Sequence, residues 1–176
     1  MSKLNAKLTA REIVTVGLMV AIIEVCKFTL IGLQNIELTT FWVIIFALYF
    51  GKSIYFVIPV FILIEGAVFG FHLWWIMYLY VWPLVAIAAR LFKKVKSPLF
   101  WSLFSGCFGL MFGALCSIVY IFLGDTLEAG LKSAFAWWIA GIPWDLVHGA
   151  GNFLLMLILY RPITSIIEKH IKKQDF

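Results

Sequence analysis

The sequence predicts an all-α, polytopic membrane protein of six transmembrane helices with both termini in the cytoplasm. Three observations predict it. First, 64% of the 176 residues are hydrophobic and only 13% are charged, against about half and about a quarter in a soluble domain. Second, the apolar residues run in stretches comparable to the ~20 residues that cross a ~30 Å hydrocarbon core. Third, the basic residues alternate between loops. Lys3, Lys7, Arg11, Lys52, Arg90, Lys93, Lys94, Lys96, Arg161, Lys169, Lys172 and Lys173 fall on one side, Lys132 on the other, and Lys27 within a segment. The positive-inside rule assigns the large group to the cytoplasm.

The elements follow in order. Residues 1–12 are polar and basic, and the apolar run behind them lacks a small-residue cleavage site and is too long for a signal peptide. Thr9-Ala-Arg-Glu12 fits a capping box that opens the first helix. Segment one covers 13–33 and is followed by the polar patch Gln34-Asn-Ile-Glu37. Segment two is short, 38–50, and only Gly51-Lys-Ser53 divides it from segment three, 54–71. Segment four covers 73–92, closed by Lys93-Lys-Val-Lys96. Ser97-Pro98 restarts the chain into segment five, 99–123. A polar loop, Gly124-Asp-Thr-Leu-Glu-Ala-Gly130, precedes segment six, 134–160, and a basic cytoplasmic tail covers 161–176. Residues 1–176 read as a single membrane domain, without repeats or low-complexity tracts.

Several function classes are excluded on these grounds. Six helices leave no room for a soluble catalytic or nucleotide-binding domain. No G-x-x-x-x-G-K-[ST], H-E-x-x-H or G-x-S-x-G pattern is present. The reading is therefore no catalytic residue, no metal ligand and no intrinsic cofactor. The net charge of +5 reports membrane orientation rather than nucleic-acid binding. Cys26, Cys107 and Cys116 lie in apolar segments, lack C-x-x-C spacing and read as buried apolar residues.

Ionisable groups within membrane segments cost about 2.5–3.5 kcal/mol each and need a partner, water or a ligand. Glu24 and Lys27 lie three apart on one face of segment one. They form either a self-neutralising ion pair or the border of a polar site. Segment six carries a stripe at helical spacing: Trp138, Gly141, Asp145, His148 and Asn152. It offers an aromatic plate, a carboxylate, an imidazole and an amide. A ligand site and an Asp145–His148 pair that merely holds helices together are both open readings. Glu65 and His72, seven apart, stack at the outer end of segment three. Trp75, Tyr78 and Trp82 share a face of segment four, while Trp74 fits the interfacial aromatic belt. Together these outer ends predict an outward-facing pocket with stacking surfaces and few polar groups. Gly17 and Ala21 form a small-x-x-x-small pair for close helix approach, within the bundle or with a partner. Gly106, Gly109 and Gly113 read as packing inside the bundle.

Six helices, about 180 residues, cytoplasmic termini and no ATPase resemble the S component of energy-coupling factor (ECF) vitamin transporters. Three local features carry the resemblance. Gly17-x-x-x-Ala21 resembles the family's first-helix docking motif. Asn35-Ile-Glu37 sits where the first outer loop lids the ligand. Gly141-Ile-Pro-Trp144-Asp145-Leu-Val-His148-Gly-Ala-Gly-Asn152 resembles the sixth-helix signature. The resemblance implies a subunit of a bacterial plasma membrane that captures a vitamin from outside. It then topples while docked on a coupling subunit and two ATPase subunits. The implied ligand-binding residues are Asn35, Glu37, Glu65, His72, Trp75, Tyr78, Trp82, Trp138, Trp144, Asp145, His148 and Asn152. Gly17 and Ala21 dock the coupling subunit. The overall pattern is most similar to S components linked to cobalamin uptake, with thiamin, pyridoxine-like, pantothenate and queuosine-precursor ligands open. The rival readings are a proton-coupled secondary transporter relaying through Glu65, Asp145 and His148, an intramembrane enzyme, and a structural subunit.

Overall fold

The structure is a computed structural model and describes residues 9–171. Lys3, Lys7, Lys172 and Lys173, counted above for orientation, lie outside the described residues. Among those described there are six α-helices and no strand: α1 Ala10–Thr29, α2 Thr39–Tyr49, α3 Ile54–Phe69, α4 Leu73–Leu91, α5 Pro98–Ser117 and α6 Leu127–Ile171. Short 3₁₀ turns, Gly51–Ser53 and Ile118–Phe122, lead into α3 and extend α5.

Among the described residues, four helical stretches are long and apolar enough to cross a membrane: Gly51–Phe69, Leu73–Leu91, Pro98–Phe122 and Leu127–His170. Helix α1 has comparable length but carries Arg11, Glu12, Glu24 and Lys27. Helix α2, with 11 residues, measures about 16 Å along its axis. Large apolar side chains cover the outside of the bundle, among them Val14, Leu18, Val25, Leu63, Leu91, Leu103, Leu154 and Ile158. A water-facing surface rarely carries so much. A lipid-facing one does.

Local chemistry sets the helix ends. Thr9 and Glu12 form the expected capping box on α1, with Thr9 N donating to Glu12 Oε2 at 2.8 Å and Glu12 N to Thr9 Oγ1 at 3.3 Å. Ser97 caps α5 by accepting from Phe100 N at 3.3 Å, and Pro98 occupies the first turn, where its missing N–H costs nothing. Helix α3 stops because Gly70 takes φ +93°, a conformation glycine adopts without strain. His72 therefore lies beyond α3, exposed, and does not stack under Glu65 as the seven-residue spacing predicted.

Helix α2 is apolar on every side, and such a helix is buried. Val43, Ile44, Ile45 and Ala47 are fully buried, and α2 touches α1, α3, α4 and α6. It is the core of one half of the bundle. The other half is a tight seam between α5 and α6. A methyl group on Gly109 would stand 2.8 Å from Gly149 Cα, and one on Gly106 would stand 3.1 Å from Phe153 Cβ. Gly17 and Ala21 face outward instead, and a methyl on Gly17 would meet nothing within 4 Å. Close packing within the bundle is thus not what Gly17 serves.

Two expectations are corrected. Segment six does not begin near residue 134 or end at 160; α6 runs over 45 residues. The polar stretch 124–130, expected as a loop, is helical from Leu127: Thr126 Oγ1 accepts from Ala129 N at 3.2 Å, and Glu128 and Lys132 pair at 2.6 Å one turn apart. Polar residues so placed support a helix. Nor are all three cysteines buried: Cys116 is, Cys26 is half-buried, and Cys107 faces outward from α5.

The seam predicts a contrast between glycines. Gly109→Ala should destabilise the protein by about 1–3 kcal/mol, the usual cost of overpacking. Gly17→Ala and Gly141→Ala, which meet open space, should leave the unfolding temperature in detergent within error of wild type.

Candidate functional site

The segment between α1 and α2 folds back over the bundle. Leu33 N donates to Leu30 O at 2.8 Å and Ile36 N to Leu33 O at 3.2 Å. Asn35 then takes φ +57°, a left-handed conformation that asparagine tolerates better than most residues. This turn delivers Glu37 to the N-terminus of α2. Its carboxylate accepts from Thr40 N at 3.0 Å and from Thr40 Oγ1 at 2.5 Å, where the helix dipole favours negative charge. Across the gap, His148 Nε2 lies 3.1 Å from Glu37 Oε1. Asn152 Nδ2 donates to Thr40 Oγ1 at 3.3 Å. Burial opposes the charge on Glu37, but the hydrogen bonds from His148 and Thr40 outweigh it and hold the carboxyl down to about 2.

One face of α6 thus reaches this network. Asp145, His148 and Asn152 are 6%, 4% and 3% exposed, so the inner part of the predicted stripe does point into the bundle. The helix passes Pro143 without interruption. Asp145 and His148 do not pair with each other. Asp145 Oδ1 accepts from Gly113 N at 3.0 Å on α5, an approach that only a glycine at 113 permits. Its Oδ2 is buried without a hydrogen-bond partner.

Beneath the 30–38 segment lies a cavity of about 280 Å³. Asn35, Glu37 and His148 supply polar groups; Tyr78, Trp82 and Phe112 supply ring surfaces; Lys27 closes one end. Trp82 is nearly fully buried and its Nε1–H has no acceptor. His148 meets Phe112 edge-on at 4.8 Å. On the other side of Gln34 and Asn35 is a second cavity of about 260 Å³, lined by Phe112, Trp137, Trp144 and Asp145 among others.

Of the residues singled out by sequence, Asn35, Glu37, Tyr78, Trp82 and His148 therefore meet at one cavity. Trp144 and Asp145 line its neighbour, which Asn35 also borders, and Asn152 buttresses the network from behind. Glu65 belongs to a separate cleft, paired with Lys27. Trp75 is not at the cavity: its Nε1 donates to Ile62 O at 2.8 Å and its ring packs on Phe71. Trp138 packs edge-on against Phe135 and lines neither cavity. His72 is exposed.

The Glu24–Lys27 ion pair is corrected as well. Lys27 bonds Glu65 on α3, and both Glu24 carboxylate oxygens are buried without a hydrogen-bond partner. Sequence reasoning missed Thr40 and Phe112. Thr40 had a local signal, since Glu37 lies three residues before it. Phe112 had none among so many phenylalanines.

No protein-family model, curated protein or solved structure matches the chain. The fold and site define an all-helical protein with a lipid-type exterior and a small polar–aromatic cavity under a pinned loop.

The pin is testable. Glu37→Ala removes the acceptor shared by Thr40 and His148, and hydrogen bonds to charged groups contribute about 1.5–3 kcal/mol each. Amide hydrogen exchange across residues 30–38 should accelerate about tenfold or more, while exchange in the α5–α6 seam stays unchanged.

Proposed function

We propose that this chain is the substrate-capturing subunit, the S component, of an ECF-type vitamin importer in a bacterial plasma membrane. The observation that carries the reading is the loop of residues 30–38 held down on α6 through Glu37 and His148 over a polar–aromatic cavity. A pinned cap of this kind suits tight capture of a small molecule better than continuous conduction. In this reading α1 and α2 join the four long helices to make six crossings, and both termini face the cytoplasm. The cap faces outward. Lys52, Arg90, Lys93, Lys94 and Lys96 lie on the inner side, as the positive-inside rule requires.

The ligand enters beneath the cap, stacks on Tyr78, Trp82 or Phe112, and takes hydrogen bonds from Trp82 Nε1 and His148. A volume of about 280 Å³ lies just below the ~300–1,000 Å³ typical of small-molecule pockets. That supports one of the smaller vitamins over cobalamin, which is a far larger molecule. The outward face of α1 around Gly17 and Ala21 carries Val14, Leu18 and Val25 exposed. It serves as the docking surface for the coupling subunit. Two ATPase subunits supply the energy, and catalysis is assigned to them.

A second reading is favoured by the unpartnered carboxylate oxygens of Glu24, Glu65 and Asp145. Buried carboxyls of this kind serve as proton carriers in secondary transporters.

Native mass spectrometry of gently purified protein with a vitamin panel tests the proposal. A bound vitamin, lost at least tenfold in affinity in His148→Ala and Trp82→Phe, is the expected result. A folded protein that binds nothing in the panel, with cellular uptake abolished by an uncoupler and unaffected by loss of ATPases, would establish the proton-coupled carrier instead.

A further inference from the structure

Between α1, α3 and α4 lies a cleft of about 270 Å³ that adjoins the capped cavity and shares Lys27, Ile31 and Tyr78 with it. Lys27 reaches into it from α1. Its ammonium lies 5.1 Å from the ring centre of Phe69, 5.3 Å from Tyr78, 5.8 Å from Phe61 and 5.9 Å from Trp74. It also bonds the Glu65 carboxylate at the cleft wall. Four ring faces and a carboxylate around one point are the apparatus that recognises organic cations.

Three features go beyond what holding a lysine requires. Glu65 is 0% exposed and its Oε1 has no hydrogen-bond partner, so half of the carboxylate's accepting capacity is unused. Glu24, also buried and unpartnered, sits one turn from Lys27 on α1. A second buried carboxyl group therefore lies near the ammonium, outside the cleft lining. The cleft also stays open in front of the rings, with the Lys27 side chain 24% exposed.

We propose that this cleft is a binding site for an organic ammonium group, and that Lys27 is the tethered occupant which an incoming ammonium displaces. A hard metal cation is a poor fit, because Glu65 is the one carboxylate lining the cleft and such ions take six or more oxygens. An ammonium entering beside Glu65 would take over the pairing that Lys27 gives up. Lys27 also lines the capped cavity, so its displacement would move a positive charge toward Glu37. The proposal does not depend on the importer reading.

The test uses the full chain in phosphatidylglycerol nanodiscs, titrated with tetramethylammonium chloride against sodium chloride at equal ionic strength. Calorimetry and unfolding temperature are the readouts. Lys27→Met empties the site, so it should bind the probe at least about tenfold tighter than wild type, and the probe should raise its unfolding temperature. Adding Glu65→Gln should abolish both effects. A folded Lys27→Met chain that binds the probe no better than wild type, or is stabilised equally by sodium, overturns the proposal. If Lys27→Met does not fold, Trp74→Ala decides. It should weaken probe binding about fivefold in the otherwise native chain, and equal binding or no binding to wild type overturns the proposal. Replacing the lipid by phosphatidylcholine identifies the source once binding is found. Competition with the probe marks a lipid headgroup site, and unchanged binding marks a site for a soluble ammonium compound.

Discussion

With a methyl on Gly109 standing 2.8 Å from Gly149 Cα, α5 and α6 run main chain against main chain. In lipid there is little hydrophobic drive between helices, and small residues let backbones approach and pack. Everything at the candidate site follows from that approach. It brings Gly113 N to Asp145, fixes the rotation of α6, and thereby turns His148 and Asn152 toward α2. With α6 rotated otherwise, Glu37 would have no partner across the gap and the 30–38 segment nothing to close upon.

The second constraint is charge. Lipid offers no solvation, so each buried ionisable group is satisfied by protein or left to a ligand. Lys27 and Glu65 neutralise each other between α1 and α3. Glu37 is held by Thr40 and His148. Of the oxygens left over, those of Glu65 and Asp145 belong to residues that line cavities, and those of Glu24 do not. Packing provides the scaffold, and polar satisfaction within it is incomplete.

Much of the fold was legible because its punctuation is local. The Thr9–Glu12 box, Gly51-Lys-Ser53 and Ser97-Pro98 each act within a few residues. The inward turn of Asp145, His148 and Asn152 was legible from helical spacing alone. What failed depended on tertiary partners. The Glu24–Lys27 spacing suited an ion pair, but Lys27 found Glu65, 38 residues away in sequence. The seven-residue spacing of Glu65 and His72 presumed a helix that Gly70 had already ended. Trp75 shares a face with Tyr78 and Trp82, yet a carbonyl of α3 claims its N–H. Polarity alone hid the start of α6, since a surface helix and a loop share that composition.

Helix α6 spans 45 residues, about 68 Å at 1.5 Å per residue, more than twice the ~30 Å hydrocarbon core. Pro143 and Pro162 lie within it. Each lacks the N–H that would bond the carbonyl four residues earlier, at Ile139 and Ile158. The long rod is therefore jointed twice, and bending at a joint breaks no rung that is not already missing. Asp145, His148 and Asn152 all ride on the middle link. Because Gly149 and Asp145 on that link are held against α5, bending at the joints would tilt the ends of α6 and leave the polar face in place.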